Sequence, residues 1–314
     1  MTRHGAGLLL FAVACGGEPA NSGRDQPIVV RGGSFKEGTV PGTPPLTSDE
    51  IADGAEPTGS HVTVVDSQNN VLRPGQVGKG LSGRATDDAS SVALQLKDQG
   101  EGFWVVPLGP ADPAVPGELT WSVSLDVAHD VPPGLHTLLL AALDEEGRAG
   151  TQFALPVCVR SPIPDNLHAC DPSIPPPAAV VSLGWDANID LDLLVVTPEN
   201  KFVDPKHPST STDGELEDGD GLFDHDGLAH CELTGARREN LVFSSKPKPG
   251  VYYVFVNLFD GCGLPATRFD VSVHLAQGDP PEQVEVLHFD GEVLAAQANG
   301  GTGLGTYVTE FTIQ

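Results

Sequence analysis

A chain of 314 residues is long enough for two cores of ordinary size, and 37 Gly and 28 Pro against a single Met favour many short strands joined by turns over helices. The net charge of −26, from 17 basic and 43 acidic residues, repels phosphate backbones and anionic lipid. Nucleic acid is thereby disfavoured as a partner; the charge would attract cations, divalent metals among them, or serve only to keep an exported protein soluble.

The N-terminus reads as an export signal: Arg3, an apolar run from Leu8 to Val13, and the small Ala14 before Cys15. The string LLLFAVAC resembles a bacterial lipobox, with Ala12 where Leu is commoner. That resemblance implies a lipoprotein signal peptide over residues 1–15 with lipid on Cys15; an ordinary secretory signal is the alternative. No stretch reaches the ~20 apolar residues that span a bilayer, so the expected membrane contact is the lipid anchor alone. The expected location is the bacterial cell envelope, periplasm-facing or surface-exposed.

Residues 16–59 are rich in Gly, Pro, Ser and acidic residues without an apolar period, which predicts a disordered tether. A first domain follows over 60–160. Leu119, Trp121, Val123, Leu125 and Val127 alternate with Thr120, Ser122, Ser124 and Asp126, as a strand with one buried face requires. Val92, Leu94 and Leu96 repeat the pattern, Leu81, Gly83 and Ala85 more weakly, and LHTLLLAALD is apolar enough on both faces for a central strand. Pro-Gly turns punctuate these runs, so the spacing predicts an antiparallel β-sandwich. The strand order and SGRATDDASSVALQL resemble bacterial immunoglobulin-like domains. The prolines of 161–177 predict an extended linker.

The second domain is expected over 178–314, with strands at 180–185, 191–197, 240–244, 251–258, 268–275, 283–289 and 307–313 forming a second all-β sandwich. Setting Cys15 aside, Cys158, Cys170, Cys231 and Cys262 allow two disulfides in three connectivities. The local pairing, Cys158–Cys170 and Cys231–Cys262, keeps each bridge in one region. LGWDANIDLDLLVVTPENKFV, GARRENLVF, PGVYYVFVNLF and TRFDVSVHL occur in one order that resembles the YfaP-type exported domain and, more loosely, the jelly-roll-like pre-peptidase C-terminal sandwich of secreted enzymes. The D-x-D-L at Asp190–Leu193 and the P-G-x-Y at Pro249–Tyr252 carry the likeness, whereas Leu194 stands where family members often have His. The resemblance implies a fold and an exported compartment but no reaction.

Chemistry concentrates in acidic residues. Asp186, Asn188, Asp190 and Asp192 recur at every second position, which on a strand would offer a row of hard oxygens to Ca²⁺. The segment is not an EF-hand, because Leu191 and Thr197 replace the required Gly and Glu. Asp213, Glu215, Glu217, Asp218, Asp220, Asp224 and Asp226 form a second cluster without a basic residue, in which glycines permit tight turns. The candidate Ca²⁺ ligands are therefore Asp186, Asn188, Asp190, Asp192, Asp218, Asp220, Asp224 and Asp226, with Asn257 and Asp260 able to add a third side. The competing reading is a solvated acidic loop. His207, His225 and His230 lack the spacing of a zinc site.

No nucleophile elbow, H-E-x-x-H or phosphate-binding Gly loop occurs, and no catalytic residue is assigned. The expected function is a non-catalytic envelope module that binds an envelope protein or glycan or acts as a scaffold, stabilised by Ca²⁺. The alternative is a carboxylate-based envelope hydrolase or an accessory domain of a secreted enzyme.

Overall fold

The computed structural model describes residues 22–67, 69–232 and 237–314. Cys15 and the proposed signal peptide lie outside the described residues. The chain forms two compact units, one of residues up to 70, 75–131 and 137–156, the other of 71–74, 132–136 and 157–314. Both are built almost wholly of strands, as the glycine- and proline-punctuated period-2 runs predict.

The strands up to residue 159 are β1 (Ile28–Val30), β2 (Ser34–Lys36), β3 (Val62–Val65), β4 (Val71–Leu72), β5 (Lys79–Thr86), β6 (Ser91–Leu96), β7 (Phe103–Pro107), β8 (Glu118–Val127), β9 (Gly134–Leu143) and β10 (Phe153–Val159). One sheet has the order β1-β8-β5-β3 and the other β2-β7-β6-β9-β10, with β4 beyond β10. Trp121, Val123, Leu125 and Val127 of β8 point into the core as their alternation requires, and β9 is an interior strand. Gly83 of β5 faces the same core because Trp121 lies over it: a Cβ there would meet the indole at 2.7 Å.

The tether expected over 16–59 is folded in part: residues 28–36 supply two strands, while 44–59 are mostly exposed around one short helix, Ser48–Ala52. β1 pairs with β8 and β2 with β7, and Ile28 and Val30 are 2% and 1% exposed. Three consecutive β-branched residues, Ile28-Val29-Val30, suffice for a short edge strand when a long partner such as β8 is available, whatever the flanking composition.

The second unit contains β11 (Ala179–Trp185), β12 (Asp190–Val196), β13 (Phe202–Val203), β14 (Gly221–Phe223), β15 (Arg238–Phe243), β16 (Gly250–Asp260), β17 (Ala266–Gln277), β18 (Glu282–Leu294) and β19 (Thr306–Ile313). They form two sheets, β14-β15-β11-β17-β18 and β13-β12-β16-β19. Val181 and Leu183 from the first sheet share one core with Leu191, Leu193, Val254 and Val256 from the second, which makes the unit a β-sandwich. β16 lies mid-sheet between β12 and β19, as its apolar run predicts.

The segment 161–177 is not an extended linker. It belongs to the second unit and turns on Asp165, whose carboxylate accepts from the N–H groups of Leu167 and Ala169, each at 3.0 Å. His168 contacts the Ile174 carbonyl oxygen at 2.7 Å through Nδ1 and Glu282 at 3.0 Å through Nε2. These local polar contacts outweigh the stiffness that the prolines impose. Both expected bridges are present, Cys158–Cys170 and Cys231–Cys262. They fit a non-reducing, exported environment.

Candidate metal centre

β12 begins at Asp190, so the row read from Asp186 to Asp192 is not one strand: residues 186–188 form a bend. The Asp186 carboxylate turns back to accept from Thr267 Oγ1 at 2.9 Å and from the Arg268 N–H at 3.0 Å. Those bonds hold its pKa below the usual carboxylate value. Asn188 Oδ1 accepts from Arg237. Only Asp190 and Asp192 share the face that period-2 geometry gives them, while Leu191 and Leu193 enter the core.

The acidic loop divides in the same way. Asp220 accepts from Thr210 Oγ1 and from the Glu217 N–H, and Lys248 lies 3.7 Å away, a counter-charge from outside the loop. Asp224 accepts from the Asn240 N–H and Nδ2 and sits 2.9 Å from His225 Nδ1. Asp218 lies on an exposed turn. Asp226 alone reaches the β12 carboxylates. Of the eight residues expected to bind metal, Asp190, Asp192 and Asp226 come together, their candidate ligand oxygens within 4.8 Å of one another. The other five are spent on turns, caps or the surface. Among the described residues no histidine joins a metal-sized group.

The neighbouring strand adds a polar residue beside this group. β16 pairs with β12 so that Asn257 stands directly opposite Asp192, and an irregularity after Asp190 brings Asp260 opposite Asp190. Asn257 is 4% exposed, and its Oδ1 has no hydrogen-bond donor among the described residues. A buried amide oxygen without a partner costs about 1–3 kcal/mol. Asp190, Asp192, Asp226 and Asn257 line one small cavity of about 40 Å³, bordered also by Asp204, Lys206, His230 and Phe259.

The electrostatics match a site short of positive charge. Burial, reinforced by Asp190 and Asp226, pushes the Asp192 carboxyl up to about 7. Asp190 is pushed up to about 6 by burial and by Asp226 and Asp260, against the His230 N–H that donates to its Oδ2 at 2.7 Å. Lys206 holds its ammonium 4.7 Å over the Phe259 ring and eases the Asp192 charge only from a distance.

Glu239 supports this site from beneath and was not among the sequence candidates. It is fully buried on β15, and accepts from the Leu193 N–H at 2.8 Å and the Gly227 N–H at 3.0 Å. One carboxylate thus ties β12 to the residue after Asp226. Burial, then Asp192 and Asp226, raise its pKa well above the usual value. The legible signal is its position: Glu239 shares a strand face with Leu241 and Phe243, where an apolar residue is expected.

The loop that delivers Asp226 ends in backbone of unusual shape. Leu228, His230 and Cys231 are non-glycine residues with φ of 60°, 54° and 63°, and Cys262, disulfide-bonded to Cys231, has φ of 49°. Such conformations persist where surrounding contacts over-determine them. Here those contacts are the disulfide, the buried Leu228 and the His230–Asp190 bond.

No family model and no curated protein matches the chain. Solved structures give distant likenesses. The fibronectin(III)-like modules of Clostridium thermocellum CbhA are 12% identical over 76% of this chain and 96% of theirs, with a TM-score of 0.18. Dimeric latent PorU from Porphyromonas gingivalis is 12% identical over 78% of this chain and 31% of that one, with a TM-score of 0.23. A structure of manganese lipoxygenase of Gaeumannomyces graminis with part of zonadhesin of Komagataella pastoris is 10% identical over 80% and 96%, with a TM-score of 0.21. At these TM-scores they carry no argument about the site. The likeness to YfaP-type domains rests on the sequence segments and their order alone, D-x-D-L and P-G-x-Y foremost.

Proposed function

We propose that the protein is an exported, non-catalytic binding or scaffold module whose second unit is stabilised by Ca²⁺ held by Asp190, Asp192, Asp226 and Asn257. The observation that carries this reading is Asn257: a buried amide oxygen with no donor among the described residues, on a residue that lines the same cavity as three clustered carboxylates. A hard divalent cation satisfies all four at once. Ca²⁺ takes 6–8 oxygen ligands, so water fills the positions the side chains leave open. The donors are all oxygens, which favours Ca²⁺ over zinc. Lipid on Cys15 would anchor the module in the envelope, with an envelope protein or glycan as its partner.

Calorimetric melting of the full chain, with Ca²⁺ and with chelator, tests the reading. A cation bound only by the folded state at 100 times its Kd adds ~2.7 kcal/mol, read as a rise in the second unit's Tm. A Tm indifferent to millimolar Ca²⁺, together with no uptake in equilibrium dialysis, would overturn the proposal.

A further inference from the structure

The same site is placed to answer to a thiol reductant. Asp226 lies on the loop that ends at Cys231, and Asn257 lies on the strand that ends just before Cys262. The Cys231–Cys262 bridge therefore ties together the two chain segments that bring these ligands to Asp190 and Asp192. It also fixes His230, whose N–H holds Asp190 Oδ2 at 2.7 Å. At its other end the Asp226 loop is held by Asp224 on Asn240 and by the Gly227 N–H on Glu239. With the bridge open, the loop keeps the Asp224, Gly227 and His230 hydrogen bonds but loses its covalent tie to the turn after β16. The left-handed residues His230, Cys231 and Cys262 then lose the covalent link that over-determines them. Cys231 is exposed and Cys262 partly so, which leaves the bridge open to attack.

We infer that the Cys231–Cys262 disulfide is a redox control on the cation site, so that an exported dithiol reductant lowers Ca²⁺ affinity and bound Ca²⁺ protects the bridge. This rests on the calcium reading above. In the reaction a reductant thiolate attacks one sulfur, the Cys231–Cys262 bond breaks, and a mixed disulfide forms. The second reductant thiol then resolves it. The protein gains two electrons and two protons as two cysteine thiols, and the reductant leaves as its own disulfide. Linkage makes the effect reciprocal: whatever factor reduction takes from Ca²⁺ affinity, Ca²⁺ takes from reduction.

The test uses the full chain carrying Cys15→Ser. Ca²⁺ affinity is measured by titration calorimetry on chain with both bridges intact, after reduction with dithiothreitol, and after reoxidation. The reduced form is expected to bind about tenfold more weakly or worse, within the 5–150-fold range of ordinary coupling, with recovery on reoxidation. A chain with Cys158→Ser and Cys170→Ser added should show the same loss, which assigns it to the remaining bridge. Alkylation and mass spectrometry of the parent chain, in dithiothreitol with and without Ca²⁺, give the reciprocal arm without that variant. Ca²⁺ should lower the midpoint of the Cys231–Cys262 couple by ~30 mV per tenfold of coupling. The Cys158–Cys170 couple, remote from the ligands in sequence, should not move. Equal Ca²⁺ affinity before and after reduction, or equal midpoints with and without Ca²⁺, would overturn the redox control and leave the calcium reading standing. No Ca²⁺ uptake by the oxidised chain would overturn both.

Discussion

Replacing Asp192 by Asn removes one negative charge from a site whose carboxylates are close and buried, and it should change stability in opposite directions with and without Ca²⁺. Burial and the neighbouring Asp190 and Asp226 carry the Asp192 pKa from 3.8 to about 7. A folded-state pKa above the unfolded one means that the protonated form is favoured by folding. The resulting stability is full below about pH 4 and is lost as pH rises through about 7. At pH 8 in chelator the charged side chain thus costs on the order of 2–4 kcal/mol, at 1.36 kcal/mol per pKa unit and less what it shares with Asp190. Asn fits the same space without the charge, so Asp192→Asn should raise the second unit's Tm by about 5–15 °C in chelator at pH 8. In saturating Ca²⁺ the wild type gains a ligand that the variant holds poorly, and the advantage should vanish or reverse. Scanning calorimetry of both full chains, at pH 5 and pH 8 in both conditions, provides the check. In chelator the wild type should lose stability between the two pH values and the variant should lose less. A variant less stable than wild type in chelator at pH 8, or one whose difference from wild type ignores Ca²⁺, would refute the reasoning.

Glu239→Ala should leave the Leu193 and Gly227 N–H groups unpaired in the core and cost about 2–4 kcal/mol by chemical denaturation. It should also weaken Ca²⁺ binding in calorimetry, because the loop carrying Asp226 loses its lower anchor. The His168 pKa is raised by the Ile174 carbonyl and by Glu282. Its contribution is therefore full below the unfolded value of about 6.5 and is lost as pH rises through the folded value. Amide exchange across 165–175, corrected for intrinsic rate, should report weaker protection at pH 9 than at pH 6, and His168→Asn should flatten that difference. Cys15→Ser should move the protein from the membrane to the soluble fraction, and unchanged fractionation with no lipid by mass spectrometry would sink the anchor.

Much of the fold was legible because it depends on local periodicity. The alternation through Trp121 and Leu125, the apolar run of β16 and the half-buried β17 are each a property of a few consecutive residues, and no partner is needed to recognise them. The N-terminal strands and the folded 161–177 segment were missed for the opposite reason. Ile28–Val30 becomes a strand because β8 offers it an edge, and Asp165 builds a turn that outweighs the surrounding prolines.

The site divides along the same line. That acidic residues would be too dense for their own counter-charges follows from the order of amino acids alone, as does the D-x-D-L face, whereas the sequence left three cysteine connectivities open and the structure chose the local one. Which carboxylates meet was decided by tertiary structure. Asp186, Asp220 and Asp224 find partners in Arg268, Lys248 and Asn240, all distant in sequence, whereas the β12–β16 register sets Asn257 against Asp192 and leaves its oxygen without a donor. Glu239 shows the limit most plainly, since an acidic residue at an inward strand position is interpretable only when the N–H groups it must satisfy are known. Side-chain spacing along a strand is local, but charge compensation and hydrogen-bond satisfaction are sums over everything that folding brings near.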